Sequence, residues 1–289
     1  MDIDGDGHRD ILSGSYSRME NSMAGLFQVL YGKADGTFRK AEVLKGTDGQ
    51  PLIIPANDND QLTEKICTRP FAVDWDGDGH LDLVVGNFSG TFYWFKGEGK
   101  GKFRPKPEAI KAGKEPLRIQ GHHSDPFVID WDGDGDLDLL SGSSNGGVQW
   151  AENVAGKGKP PELRPFRVLI KPGRPIESGQ PFGEKDLTGP TTSTRVWVAD
   201  VNGDGKLDLL VGDSVTLISP AKGLSVEEFK KRFAAWQKDL AAASKKLSAE
   251  TADEAKRNKA YEEYNKIYNQ STEFMKVDST GFVWLYLRK

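Results

Sequence analysis

The stretch "DWDGDGHLDLVVG", residues 74–86, places four aspartates within nine positions directly ahead of a run of valine and leucine. Carboxylates a few ångströms apart repel by on the order of 1 kcal/mol per pair even where water screens them, so the pattern asks for a cation. Asp74, Asp76 and Asp78 alternate with Trp75 and Gly77, Gly79 allows a sharp turn, and Asp82 follows three residues later. Oxygen ligands at places one, three, five and nine of a tight loop, with a backbone carbonyl at place seven, surround a hard cation of calcium's size.

A helix–loop–helix calcium site starts in the same way, but its twelfth place is a bidentate Glu between two helices. Here the twelfth place is Val85, inside an apolar run with strand character. The stretch therefore reads as a calcium loop joining two β-strands. The pattern recurs: "DIDGDGHRDIL" starts at Asp2, "DWDGDGDLDLL" at Asp130 and "DVNGDGKLDLL" at Asp200, so the four copies start 72, 56 and 70 residues apart. The expected ligand sets are Asp2, Asp4, Asp6 and Asp10; Asp74, Asp76, Asp78 and Asp82; Asp130, Asp132, Asp134 and Asp138; and Asp200, Asn202, Asp204 and Asp208. Place seven is held by His8, His80, Asp136 and Lys206; there the backbone oxygen binds and the side chain is free to vary.

Reading outward from each loop gives the architecture. "LDLVVGN" is followed by the turn "FSG", the aromatic segment "TFYWFKG" and the extended piece "KFRPKPEAI". The third copy repeats this as "LDLLSGS", "SNGG", "VQWAEN" and "PFRVLIK", and the first as "DILSGS", "GLFQVLYG" and "TFRKAEVL". Short strands joined by Gly-rich turns and recurring about every 60 residues read as four-stranded blades of a β-propeller. The expected fold is all-β, with four recognisable blades near 1–50, 68–112, 124–172 and 193–223 plus 277–289. Copies two to four are each led by an apolar strand, "PFAVDW", "PFVIDW" and "RVWVADV", whereas copy one starts right after Met1. The reading is that the propeller is larger or amino-terminally shortened, with a leading strand and any export signal upstream. Trp94, Trp150, Trp197 and Trp284 lie on apolar strands and are expected to pack between blades.

The loop pattern D-x-[DN]-G-D-G-x-x-D-[LI] between the first two strands of a blade resembles the VCBS and FG-GAP repeats of bacterial surface proteins, related to the integrin alpha-chain propeller. The Phe-Gly and Gly-Ala-Pro signatures of the latter are not carried here, so integrin-like ligand binding is not implied. The resemblance implies a calcium-stabilised extracellular propeller, secreted, periplasmic or at the cell surface, of the kind used for adhesion or carbohydrate contact.

Residues 224–276 break the pattern. In "LSVEEFKKRFAAWQKDLAAASKKL", Val226, Phe229, Phe233, Trp236, Leu240, Ala243 and Leu247 recur at spacings of three and four, a heptad seam. Ser225 with Glu228 forms a capping box, and Thr251 with Glu254 opens a second helix in the same way. That helix brings Tyr261, Tyr264, Tyr268 and Met275 to one side, so an antiparallel helical hairpin is expected. Its flanks, "LDLLVGDS" and "DSTGFVWLYLRK", place it between the second and third strands of the last blade. Calcium loops lie at one end of an antiparallel blade, and the hairpin and blade-to-blade connectors at the other.

Those connectors carry the remaining suggestive residues: Arg69, His122, His123 and Asp125 in "GHHSD", and Arg195 ending "TTSTR". They precede the innermost strands and are expected to rim the central mouth as a ligand site. Adjacent histidines should point apart and lack metal-ligand spacing. The "HHSD" run does not by itself make a nucleophile triad, so no catalytic residue is assigned. A protein- or glycan-binding scaffold ranks ahead of a lectin or a polysaccharide lyase-like enzyme using the mouth.

Composition agrees with this reading. The formal net charge is -4, and the four loops hold 16 of the 43 acidic residues, so the remaining chain is basic; four calcium ions would bring the total to +4. Cys67 is the single cysteine, which excludes an internal disulfide. No apolar stretch reaches the roughly 18 residues of a membrane span. The basic run "KGKPPELRPFR", residues 157–167, has no aromatic ladder to stack bases, so nucleic acid is not an expected partner.

Overall fold

The computed structural model describes residues 1–16, 25–55, 64–249 and 253–289. The chain is mostly β, and it divides into two compact units: Met1–Gly173 with Gly189–Asp213 and Phe282–Lys289, and Arg174–Thr188 with Ser214–Gly281. Among the described residues no helix is long and apolar enough to cross a membrane.

The first unit is built from antiparallel sheets in chain order. The first sheet holds Ile11–Ser13, Gln28–Leu30 and Glu42–Val43. The second holds Arg69–Val73, Asp82–Gly86, Phe92–Phe95 and Glu108–Ala109, and the third Asp125–Ile129, Asp138–Gly142, Val148–Ala151 and Arg167–Ile170. In the fourth, Thr192–Ala199 leads, and Leu209–Gly212 pairs with Val283–Tyr286. Loops two, three and four each span the gap between a first and a second strand, while loop one leads directly into Ile11–Ser13; Val73 pairs with Asp82 and Ile129 with Asp138, so place nine is already strand there.

Both faces of the middle sheets are covered, which is why their second strands read as unbroken apolar runs rather than alternating ones. In Asp82–Gly86, Leu83 and Val85 join a core with Phe27, Val29 and Phe95, while Val84 turns the other way to Phe92, Val128 and Leu139. Leu140, one residue past Leu139, faces a third core with Trp150, Val196, Leu209 and Val211. Place two of each loop follows the same logic. Ile3, Trp75 and Trp131 are buried, one in each core, and burial of a large apolar side chain stabilises by about 1.5–3 kcal/mol. Val201, its counterpart in the fourth loop, is exposed. Trp150 lies in the third core with Trp284 against it, and Trp94 packs on the second. Trp197 departs from the sequence expectation: it is 62% exposed, its ring edge-on to Phe127.

Successive sheets meet through a repeated contact. Cys67, His123 and Ser193 each adopt positive φ (53°, 61° and 50°), a left-handed backbone that costs a non-glycine residue on the order of 1 kcal/mol or more. The residue after each, Thr68, Ser124 or Thr194, is buried. Its hydroxyl oxygen accepts from the backbone N–H of Ser15, Asn87 or Ser143 at 2.8–2.9 Å, and its own N–H donates to the carbonyl of that same residue at 3.0–3.1 Å. Glycine is required beside this contact, since a Cβ on Gly14, Gly86 or Gly142 would meet the backbone oxygen of Thr68, Ser124 or Thr194 at 1.8, 2.3 or 2.1 Å.

In the second unit, Val215–Pro220 pairs with Met275–Thr280, and two helices lie between them: α1, Val226–Ala249, and α2, Glu254–Asn269. Ser225 caps α1 by accepting from the Glu228 N–H at 3.1 Å, while the Glu228 carboxylate turns to Arg232 at 2.9 Å rather than closing the box. The cap of α2 is Asp253, which accepts from the Lys256 N–H at 3.1 Å; Thr251 lies outside the described residues. Phe229, Phe233, Trp236 and Phe274 form the aromatic seam, and Trp236 donates to the Ile267 carbonyl at 2.8 Å. Val226, Tyr261 and Tyr268 are exposed instead, and Met275 opens a strand, so the tyrosine stripe is not the packing face.

Candidate functional site

The four loops share one backbone design. Both glycines of each D-x-x-G-D-G segment are left-handed, as at Gly77 (76°) and Gly79 (87°), a conformation that glycine adopts without strain. This turns their N–H groups inward. The place-one carboxylate collects them: Asp2 from Gly5 and Gly7, Asp130 from Gly133 and Gly135, Asp200 from Gly203 and Gly205, at 2.7–3.0 Å. Asp74 accepts from Gly79 at 2.9 Å. Place five then accepts from the N–H of place seven in every loop, Asp6 from His8, Asp78 from His80, Asp134 from Asp136 and Asp204 from Lys206, at 2.9–3.1 Å.

Place nine does more than the sequence reading assigned to it. Asp10, Asp82, Asp138 and Asp208 are buried, and each bridges two backbone N–H groups. One oxygen accepts from place two of its own loop (Ile3, Trp75, Trp131, Val201) and the other from the second residue past the strand paired with the one the loop opens (Gly32, Gly97, Asn153, Arg288), at 2.6–3.0 Å. The ninth aspartate is thus a staple between loop and sheet.

In three loops the carboxylates converge. One oxygen from each of Asp2, Asp4 and Asp6, of Asp74, Asp76 and Asp78, and of Asp130, Asp132 and Asp138 lies within 4.8 Å of the others in its group. The donor set is all oxygen, the chemistry that suits a hard divalent cation. Buried Oδ1 atoms of Asp74, Asp76 and Asp136 have no hydrogen-bond partner, and an orphaned buried acceptor costs about 1–3 kcal/mol. A cation held by these groups would satisfy those atoms and relieve the repulsion, so the residues present fit a calcium ion. The fourth loop is more exposed, and Asn202 replaces an aspartate; its amide donates to Asp204 at 3.1 Å and its oxygen accepts from the Asp204 N–H at 3.0 Å.

Charge differs sharply between loops. In loop two the Lys96 ammonium, from the end of the third strand, sits on Asp76 and reaches Asp78 at 3.1 Å. The hydrogen bonds to Asp76 and Asp78 raise the Lys96 pKa; burial opposes the Asp78 charge, but Lys96 outweighs it and holds that carboxyl below its ordinary value. In loop three Asp136 is buried at place seven and accepts from the Gly156 N–H at 2.7 Å, so its side chain is not idle there. Burial, with neighbouring carboxylates adding to it, raises Asp132 and Asp136, and burial pushes Asp138 up to about 6. A cation in the loop would reverse that local balance.

The second set of sequence-selected residues also comes together. The first strands of the second, third and fourth sheets pack side by side, and each contact residue Thr68, Ser124 or Thr194 is followed by a charged one: Arg69, Asp125 or Arg195. Arg69 Nε and Arg195 Nε each lie 3.7 Å from Asp125 Oδ1, and Arg69 Nη1 donates to the His123 carbonyl at 3.1 Å. Burial raises the Asp125 pKa while Arg195 and Arg69 pull it down. His122 and His123 do not point apart, as adjacent residues would in extended chain. The left-handed turn at His123 brings their Nδ1 atoms to 2.7 Å, and Phe88 stacks on His122 at 5.4 Å. Burial and the nearby guanidinium groups lower the His123 pKa to about 4, leaving it neutral near pH 7.

A cleft of about 620 Å³ is lined by Trp94, Glu108, Lys111, Pro160 and Glu162 and contains none of the metal or ligand residues selected from sequence. Sequence reasoning missed Lys96, which no motif marks, and the buried hydroxyls of Thr68, Ser124 and Thr194. The latter leave a signal in the recurring "TR", "SD" and "TR" ahead of each first strand.

No curated protein gives a significant match to the chain. The family described as FG-GAP-like repeat matches residues 74–141 and 130–211, two overlapping segments that contain loops two, three and four and the strands between them. Residues 74–211 of the chain thus carry FG-GAP-like repeats.

Proposed function

We propose that the protein is a calcium-stabilised extracellular β-propeller whose sheets are its blades and which serves as a binding or adhesion scaffold for a protein or glycan ligand. The observation that carries this reading is the set of buried, unpartnered carboxylate oxygens in loops of uniform backbone design, at Asp74, Asp76 and Asp136. Asp2, Asp4, Asp6; Asp74, Asp76, Asp78; Asp130, Asp132, Asp134, Asp138; and Asp200, Asn202, Asp204 would hold the ions. Each ion would tie a loop together by neutralising its carboxylates. Extracellular modules bind calcium at about 10⁻⁴–10⁻³ M, and a site with a dissociation constant tenfold below ambient calcium contributes about 1.4 kcal/mol. Four such sites would add about 5–6 kcal/mol, comparable to the net stability of a domain. Scanning calorimetry in millimolar calcium and after chelation tests this: a large fall in Tm is expected, and an unchanged Tm would refute a structural role for calcium.

A second reading, an enzyme acting on polysaccharide at the mouth, is favoured by one observation: Arg69, His123, Asp125 and Arg195 converge rather than scatter. Release of reducing or unsaturated ends from a panel of acidic polysaccharides would support it, and inactivity across the panel would leave the binding role.

A further inference from the structure

The cluster at the start of the first strands carries more positive charge than its single carboxylate can cancel. Asp125 Oδ1 is shared by the Nε atoms of Arg69 and Arg195. The Nη1 atoms go to backbone carbonyls, Arg69 to His123 at 3.1 Å and Arg195 to Thr194 at 3.1 Å. Neither Nη2 atom makes a hydrogen bond among the described residues. Arg69 is one-fifth exposed and Arg195 nearly half exposed, so at least one net positive charge stands where water screens it incompletely. His123, neutral near pH 7, adds no charge of its own. Guanidinium forks bind planar oxyanions through paired donors, and the exposed His122 ring, backed by Phe88, offers a flat face beside them.

We propose that Arg69 and Arg195 form a binding site for the carboxylate of an acidic sugar, with the His122 ring lying against the sugar and Asp125 acting as the internal anion that the ligand competes with. This rests on the reading of the first-strand openings as the ligand face. It also gives Asp125 a role that packing alone would not: it holds the two arginines in place and limits affinity at once.

The test uses the calcium-loaded full chain labelled with ¹⁵N-arginine, observing the side-chain Nε–Hε signals during titration with trigalacturonate, sodium acetate and neutral trigalactose. Trigalacturonate is expected to shift Arg69 and Arg195 at concentrations about tenfold below those of acetate, and trigalactose to leave them in place. Arg195→Gln should weaken binding about tenfold or more, the usual loss for a charge-assisted pair. Arg167→Gln, at an exposed arginine on Trp150, should leave it unchanged. Asp125→Asn should tighten binding, a gain that a merely structural carboxylate would not give. Absence of any shift at both arginines, weakening by Asp125→Asn, or tighter binding of triglutamate than of trigalacturonate would each overturn the proposal. None of these results depends on whether chelation lowers Tm, so the failure of this site and the failure of the calcium reading are separately visible.

Discussion

Loops two and three share eight of nine residues, DWDGDGHLD and DWDGDGDLD, yet their electrostatics are opposed. The residue just before the N–H that binds place nine is Lys96 in one and Glu152 in the other. Lys96 places an ammonium on two ligand carboxylates, whereas Glu152 adds to the negative field around Asp132 and is itself held by Arg164 and Arg167. Loop three also gains the buried Asp136 at place seven. The loop motif fixes the backbone, and a neighbour on the third strand decides how strongly that backbone attracts a cation. An ion entering loop two must displace a tethered charge; an ion entering loop three meets an unrelieved cluster.

Six substitutions sharpen or break this contrast. The largest effect is expected at place nine, where the two loops should behave alike. Asp82→Ala or Asp138→Ala strands two backbone N–H groups, so each should lose about 3 kcal/mol or more in urea unfolding, with calcium or with chelator. A loss seen only in calcium would show that place nine is solely a ligand. Next, Ser124→Ala tests the contact between sheets away from either loop: it leaves the buried Asn87 N–H unpaired and should cost about 1–3 kcal/mol, independent of calcium. A calcium-dependent loss there would mean that the loops and the sheet contacts are not separable.

Smaller effects address the charges directly. Lys96→Met should tighten calcium in loop two, and Glu152→Lys should weaken it in loop three, each by about tenfold, the scale of one charge contact near the surface. Calorimetric titration would measure both, and equal affinities in all variants would sink the contrast. Asp136→His, which gives loop three the seventh residue of loop two, should weaken calcium by a few fold, since one carboxylate near the ion is worth about 1 kcal/mol in a well-screened place. No change would return place seven to a backbone-only role.

Much of this was legible in the sequence because it is periodic. Four copies of one loop, each followed by an apolar run and glycine, announce repeated β-hairpins, and the alternation of Leu83, Val84 and Val85 between two cores explains why those runs are continuous. What was not legible depends on contacts across sequence. Lys96 lies 18 and 20 residues from the aspartates it neutralises, and nothing in its own segment marks it. Asp136 looks like any variable position until its burial is seen. The histidine pair was misread because extended geometry was assumed where His123 turns left-handed. On the helices, spacing alone set the tyrosines on the packing side, but Phe274, beyond the end of α2, supplies the aromatic contact instead. Val201 and Trp197 carry the residue types of buried positions, and only the fold reveals that they are exposed.

The most direct measurement is a calcium titration of the ¹⁵N-labelled chain, started from the chelated state and followed through the loop glycine amides. The Gly133 and Gly135 signals should respond at the lowest calcium, and those of Gly77 and Gly79 at about tenfold or more above it, where the ion displaces Lys96. Loop glycines that ignore calcium altogether would contradict the central claim that these carboxylates are held together by a bound cation.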